Sequence, residues 1–460
     1  MGSEFTKRFE TVSDPSHAFS GIAVLPRRLA QIAFFATLVL IPIRLRFDLL
    51  SRPELPGQTD YTDFLLFAPD IAMLATIALW GISLLVVRRR MQLGPLYLWL
   101  PLAGLSLAGL VSAAASVDRA LTLYHTVRLA GLFLFFLYVV NEIAGPALAL
   151  YAIAFQGVIQ ALVAIAQFLS QRDIGLQLLG EHALDPASAG ISIVSTGPAR
   201  VLRAYGLSDH PNILGGCLAF GLVLLLAAYL WTGSRTRPLL LISMLPMSLA
   251  LLLTFSRSAW LAFAAGAAFL LVIQVALRRW SLLKPLPWLL IAVGLTLAPF
   301  VWKERTLLGI RLNTGGAFDT IGPEQQSIGE RVLLVQAAGR IFAANALTGV
   351  GLGTAPIAMR NENPASTLAY QPPHMALLEA AMETGLPGGV LYFLLLVLPW
   401  LVFLRHRALL AQPWVAGAAA LLLAVTVVGF FDYYTWLLVP GRLWQWLSWG
   451  LVAASVRSAD

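Results

Sequence analysis

The feature that most constrains this chain is its division into apolar blocks long enough to cross a bilayer. Twelve apolar runs, bounded by charge, proline and glycine, lie near residues 26–43, 64–87, 95–115, 121–140, 146–169, 211–231, 238–254, 258–277, 286–302, 387–404, 413–430 and 436–455. A helix needs roughly 20 apolar residues to traverse the hydrocarbon core, and these blocks supply about that many. Strands of a membrane barrel would be about half as long and would alternate apolar with polar residues. The 460 residues are 58% hydrophobic and only 12% charged, which excludes an ordinary soluble domain. The expected fold is therefore an all-α polytopic membrane protein with about 12 transmembrane helices.

Charge distribution orients the spans. The net charge of +8 is not arranged as the continuous basic stripe that nucleic acid would need, so no nucleic-acid partner is expected. Arg27-Arg28, Arg88-Arg89-Arg90, Arg235 with Arg237, Arg278-Arg279 with Lys284, and Arg405 with Arg407 fall on alternate short loops. All share a side with the N-terminus, and the positive-inside rule makes that side cytoplasmic. An even number of spans returns the C-terminus there. The resulting division is a cytoplasmic tail over 1–25, helices one to nine over 26–302 with an outer segment near 170–210, a long outer segment over 303–386, and three more helices with a short tail over 387–460. The opening Met1-Gly2-Ser3-Glu4-Phe5 reads as a cloning remnant, and the polar stretch to about Phe19 lacks the apolar core of a signal peptide. The single cysteine, Cys217, excludes an intrachain disulfide and a cysteine metal cluster.

The outer segments hold the chemistry-bearing residues. Two blocks meet around Thr254-Phe255-Ser256-Arg257-Ser258 with almost no loop, which sets Arg257 at the outer boundary. A charge there either snorkels to lipid phosphates or holds an anion. The segment 303–386 contains an amphipathic stretch from about 327 to 344. In it Val332, Leu333, Val335, Ala338, Ile341 and Phe342 can share an apolar face, interrupted by Glu330, Arg331 and Arg340. Gly349-Val350-Gly351-Leu352-Gly353 follows and reads as a flexible turn, since no strand precedes a helix as a nucleotide fold requires. Gln371-Pro372-Pro373-His374 approaches a helix over 375–384 and sets His374 in its first turn, as a cap or as a proton acceptor. Glu379 and Glu383 turn away from the His374 face. In the other outer segment, Asp209 or Asn212 is expected to cap the helix opened by Pro211, while Arg203 and His210 are candidates to contact an anion. The motifs of P-loop, zincin and serine-hydrolase chemistry are missing, as is an acidic pair on an outer loop, so metal-free chemistry is expected and no metal ligands are assigned.

Four motifs in order carry a family resemblance. They are Arg203-x-x-Gly206 with Pro211-Asn212, then Thr254-Phe255-Ser256-Arg257-Ser258-Ala259-Trp260, then Arg331 ahead of the glycine triplet, and finally His374-x-x-Leu377 with Glu383-x-Gly385. Together they resemble the O-antigen ligase and polymerase superfamily over most of the chain, the first five spans contributing only hydropathy. The resemblance implies a GT-C-like glycosyltransferase of the bacterial inner membrane, multi-pass with both termini cytoplasmic, and with a periplasmic active site. It implies transfer of O-antigen glycan from undecaprenyl diphosphate to a sugar hydroxyl of lipid A–core, with membrane lipids as surroundings and without a cofactor. His374 takes the family's catalytic histidine position, and Arg257 and Arg331 its diphosphate-binding arginines, with Arg203 as an addition. Met375 departs from the asparagine common after the histidine. O-antigen polymerase and protein O-oligosaccharyltransferase share these motifs and stay open. A lipid-linked glycan transporter is a different class, and it would show ionisable residues at mid-depth or paired broken helices.

Overall fold

The computed structural model of the protein describes residues 20–52, 59–143, 147–196, 199–312, 323–364, 368 and 370–457. Helices α1 (Ser20–Leu40), α2 (Ala68–Val87), α3 (Leu96–Ser112), α4 (Arg119–Glu142) and α5 (Ala147–Ser170) form the first half. They are followed by α6 (Pro211–Trp231), α7 (Arg237–Leu253), α8 (Arg257–Ala276) and α9 (Leu286–Lys303). The segment between α9 and the last three helices contributes α10 (Arg305–Leu312), α11 (Pro323–Ala344) and α12 (Ala355–Glu362), and the chain ends in α13 (Ala376–Arg405), α14 (Pro413–Phe431) and α15 (Val439–Arg457). A helix thus occupies each apolar block. Eight helical segments among the described residues are long and apolar enough to cross a membrane: α2, α4, α5, α6, α8, α13, α14 and the stretch 280–303 that contains α9. Helices α3 and α7 are apolar but shorter.

The centre of the bundle is α6, buried along nearly its whole length and packed by α7, α8 and α14. Its sequence, apolar on every side, is that of a helix with no face to show to solvent. Pairs α1–α2, α3–α13, α5–α7 and α4–α15 close around it. Short polar signals start several helices. The Asp118 side chain accepts Leu121 N–H at 3.0 Å to cap α4, and Asp70 accepts Phe67 N–H at 3.0 Å at the start of α2.

Several expectations need correction. Residues 1–19 of the expected tail lie outside the described residues, and 20–25 already belong to α1. The protein is mostly helical, consistent with the expected class, with two short hairpins added: β1 (Arg46–Leu50) pairs antiparallel with β2 (Phe64–Phe67), and β3 (Ile193–Thr196) with β4 (Ala199–Leu202). Strand β2 takes the first residues assigned to the second span, because Pro69 and Asp70 start α2 only after it. The helix leading from His374 and the tenth span form one element, α13, broken at Gly385 with φ 70°. The face of α11 also differs. Leu334, Ala338 and Ile341 pack inward on Val350, Ala355, Met359 and Met382, a stripe at i, i+4 and i+7, whereas Val332 and Leu333 are exposed. Apolar residues border this helix on more than one side, so spacing alone did not choose between the two faces.

The glycine-rich turn is a packed element of this cap. Gly349, Gly351 and Gly353 all take positive φ and residues 349–359 are buried. Val117 N–H donates to Val350 O at 2.9 Å, and Leu352 N–H to Ser112 Oγ at 3.1 Å. Glu383 anchors the turn from α13, its Oε1 accepting Ala355 N–H at 3.0 Å. A side chain at Gly351 would meet Thr122 Oγ1 at 2.5 Å and Ser116 Cβ at 2.7 Å. Gly351→Ala is therefore expected to destabilise the protein by about 2 kcal/mol or more, seen as a lower melting temperature in detergent. Gly329→Ala, at an exposed helical position with nothing within 4 Å, should be neutral or stabilise by up to about 1 kcal/mol.

Candidate functional site

The site is organised by the turn of residues 254–256 between α7 and α8. Ending α7 leaves its last carbonyls without intrahelical partners, and three groups from other segments satisfy those of residues 253–255. Ala204 N–H donates to Leu253 O at 3.0 Å, Arg203 Nε to Thr254 O at 2.7 Å, and Arg311 Nε to Phe255 O at 2.8 Å. Two guanidinium groups thus sit at the negative end of a helix dipole. Phe255 takes φ 49°, a left-handed conformation uncommon for an aromatic residue. Arg257 opens α8 immediately after this turn, partly buried and engaged within the protein.

From Arg203 a polar chain crosses to the last loop. Arg203 NH2 donates to Asn212 Oδ1 at 2.7 Å, and Asn212 Nδ2 to Asp432 Oδ2 at 3.1 Å. Arg203 is only 5% exposed, so its charge acts from behind the site. The cap of α6 is neither Asp209 nor Asn212. His210 Nδ1 accepts Asn212 N–H at 3.1 Å, while Asp209 is turned away into ion pairs with Arg44 and Arg46. The other His210 nitrogen meets Ser192 Oγ at 2.7 Å.

His374 lies one residue before Met375, the residue that precedes the first turn of α13, so it stands just outside the helix rather than in its first turn. Its ring meets Tyr433 edge to face with centroids 5.1 Å apart. Tyr433 OH is 2.8 Å from Tyr61 OH. Nδ1 of His374 is buried and has no hydrogen-bond partner among the described residues. Burial lowers the pKa of this imidazole; Asp432 opposes that effect and Arg331 adds to it. His210 is held well below the ordinary imidazole range by burial, then by Arg203, His374, Arg311 and Arg331. Burial also pushes Tyr61 up to about 12, so the tyrosine pair stays protonated at neutral pH.

Of the residues singled out from sequence, Arg331 lies close enough to act electrostatically on both His374 and His210, as Arg203 does on His210. Arg257 is linked to this group only as the first residue of α8 after the turn that Arg203 and Arg311 hold; it is not among the charges that act on His374 or His210. Glu379 and Glu383 are both buried and neither bonds His374. Glu383 instead accepts Trp436 Nε1–H at 2.8 Å. Sequence reading missed Arg311, Asp432, Tyr433 and Tyr61. Asp432 was the most findable, as a lone acid between two apolar blocks; the others carry no local signal. Among the described residues, no three of His, Cys, Asp and Glu are grouped to hold a metal ion.

The arginines should separate on mutation. Arg203→Ala strands the buried Thr254 carbonyl and Asn212, and should cost about 3 kcal/mol, lowering the melting temperature in detergent. Arg331→Ala should leave it within a degree or two of the unaltered protein, because Arg331 is part-exposed and lies outside that hydrogen-bonded chain.

No curated protein matches the chain. The family model described as O-antigen ligase (Wzy_C) matches residues 242–393. The matched stretch holds the 254–256 turn, Arg257, Arg311, Arg331, the glycine triplet and His374, whereas Arg203, His210, Asn212 and Asp432 lie outside it. Over residues 242–393, this protein of membrane-length helices is similar to the O-antigen ligase family.

Proposed function

We propose that the protein transfers O-antigen glycan from undecaprenyl diphosphate to a sugar hydroxyl of lipid A–core, at the periplasmic face of the inner membrane, by metal-independent inverting displacement. The fold proposed to carry it has twelve transmembrane helices in a GT-C-like arrangement with both termini cytoplasmic. Residues 303–386 form its periplasmic segment. The observation that supports this reading most directly is His374: a buried imidazole with an unpartnered nitrogen, biased to the neutral form, beside Arg331 and within the family-matched stretch.

The reaction is a single displacement. The acceptor hydroxyl oxygen attacks the anomeric carbon, the carbon–oxygen bond to the diphosphate breaks, and the leaving group departs with the bonding electrons. His374 takes the hydroxyl proton as general base. Arg257 and Arg331 bind the diphosphate oxygens, where planar guanidinium forks match the anion's geometry and supply the stabilisation that a metal otherwise would. Arg203 adds positive potential from its buried position. Apolar grooves between helices admit the lipid anchors of both substrates. Polymerisation of lipid-linked repeat units, or transfer to a protein hydroxyl, would use the same groups with another acceptor.

Reconstitution with lipid-linked glycan and purified lipid A–core, with a chelator present, tests the proposal. Ligated product is expected from the unaltered protein, and His374→Ala should lose activity by about 100-fold or more. Unchanged turnover by this variant would remove the general-base assignment, and product formed only on a second lipid-linked glycan would establish a polymerase. Arg257→Ala and Arg331→Ala should lose activity while inserting normally.

The pH profile carries its own sign. A base works when deprotonated, so a lowered imidazole pKa sets the acidic fall in rate below about pH 6.5, the ordinary value. The Asp432 carboxylate favours the protonated ring, so Asp432→Asn should move that fall to still lower pH. A shift to higher pH would contradict the assignment.

A further inference from the structure

The loop between α5 and β3 presents apolar side chains outward. Leu178, in a 3-10 turn over Gln177–Leu179, is 94% exposed, and Ile174 and Leu179 are exposed as well. Their exposure belongs to a fixed backbone. Glu181, itself buried, accepts Gln167 Nε2–H and Ile174 N–H on one carboxylate oxygen, each at 2.8 Å, and Leu176 N–H on the other. Gly180 N–H closes the turn on Gln177 O at 3.0 Å. A buried carboxylate satisfied by three donors holds the loop in place, and the arrangement it holds leaves the leucines outside. Gln167 Nε2 also donates to Gly206 O at 2.8 Å, which ties the loop to the segment that carries Arg203.

Neighbouring surfaces indicate what meets these side chains. On α5, which is long and apolar enough to cross a membrane, the exposed residues Tyr151, Phe155, Ile159, Leu162 and Leu169 recur at spacings of three, four and seven, a single outward stripe. Ser170 Oγ donates to Arg172 O at 3.2 Å, so the loop begins folded against the end of that helix. On the adjoining α1, Phe35 lies against Phe155 with ring centroids 6.5 Å apart. Beyond α1, strand β1 exposes Phe47 and Leu49 on one face. The two segments touch at Gly180, where a side chain would meet Leu45 N at 2.7 Å. The exposed apolar surface of the α1–α5 pair therefore continues past both helix ends, and exposed apolar surface of this extent marks an interaction site.

We propose that the 171–180 loop dips into the surface of the lipid bilayer at the end of the bundle that holds the candidate site, with Ile174, Leu178 and Leu179 as its anchors. Arg172 and Gln177, both exposed, interleave with them. That mixture suits the interface, where polar groups meet lipid phosphates while apolar side chains reach inward by about 5–10 Å. Continuity with the α5 stripe selects lipid over a second protein surface. Through Glu181, Gln167 and Gly206 the anchored loop sets the depth at which the Arg203 segment stands relative to the lipid phosphates. The inference concerns position in the bilayer, is independent of the transferase reading, and is measured without turnover.

Nitroxide labelling of the full-length protein in phosphatidylcholine–phosphatidylglycerol nanodiscs tests this. In a Cys217→Ser background, the label is attached through Leu178→Cys, through Leu162→Cys on the α5 stripe, or through Ser234→Cys in the exposed loop between α6 and α7. Collision with oxygen, which concentrates in lipid, is compared with collision with a water-soluble nickel chelate. For a side chain seated in the interface, the oxygen-to-nickel ratio at Leu178 should exceed that at Ser234 by about fivefold or more and approach that at Leu162. Adding Ile174→Asp and Leu179→Asp should lower the Leu178 ratio by about threefold or more, because the remaining anchors are lost. A Leu178 ratio equal to that at Ser234 overturns the proposal, as does a ratio that the aspartates leave unchanged. Protection from both reagents would also overturn it and show a protein surface, such as a second copy of the chain, over the loop. If the double aspartate variant fails to fold, Leu179→Asp alone decides.

Discussion

The structure of the candidate site depends on three helix-end carbonyls. A polar backbone group at a membrane boundary must be satisfied by protein or water, and ending α7 within three residues of α8 leaves those of Leu253, Thr254 and Phe255 exposed together. Their partners come from two distant segments, the strand-and-loop region before α6 and the short helix α10. One local deficit therefore ties both of these segments to the bundle. It also fixes the start of α8, where Arg257 is the first residue. Charge is the suitable currency for this tie, because the carbonyls lie at the negative end of α7.

The opposite end of the bundle shows the same economy. Glu142, nearly fully buried at the end of α4, pairs with Arg27 at 2.7 Å and Arg89 at 3.1 Å and accepts Trp80 Nε1–H at 3.1 Å. Arg279 donates to the Ala411 carbonyl and Arg237 to Tyr229 O at 3.3 Å. Several arginines of the short loops thus close helix ends. The arginines on which the expected orientation rests therefore also have a structural role in joining helix ends.

What the sequence made legible follows from the length scale of each signal. Hydropathy over about twenty residues located a helix in every apolar block, because the bilayer demands an uninterrupted hydrogen-bonded run. The β1–β2 and β3–β4 hairpins are too short to register on that scale. The inward face of α11 was misjudged because the choice between Leu334 and its neighbours Val332 and Leu333 is made by a tertiary partner, the 349–359 cap. The same holds for the glycine triplet. Its positive φ angles suit a turn, but its burial depends on Ser112, Val117 and Thr122 from elsewhere in the chain. His210 displaced Asp209 as the α6 cap for a comparable reason: Arg44 and Arg46 draw the carboxylate away. The motifs could bring forward Arg257, Arg331 and His374, but not Asp432 or Tyr433, whose relation to His374 exists only after the last loop folds back.

A base set among cations looks unfavourable until the protonation state is considered. A proton acceptor needs to be neutral before reaction, and burial, with the Arg331 guanidinium adding to it, promotes this by penalising the imidazolium. The same guanidinium supplies positive potential that a diphosphate requires. If His374 stood among cations alone, its affinity for a proton would fall too far for efficient transfer from a hydroxyl. Asp432 counters that tendency, and its connection through Asn212 to Arg203 keeps the carboxylate beside His374. The proposed base and the proposed anion site are thus adjusted by charges of opposite effect, with Arg331 lowering the His374 pKa and Asp432, at the end of the Arg203–Asn212–Asp432 chain, raising it.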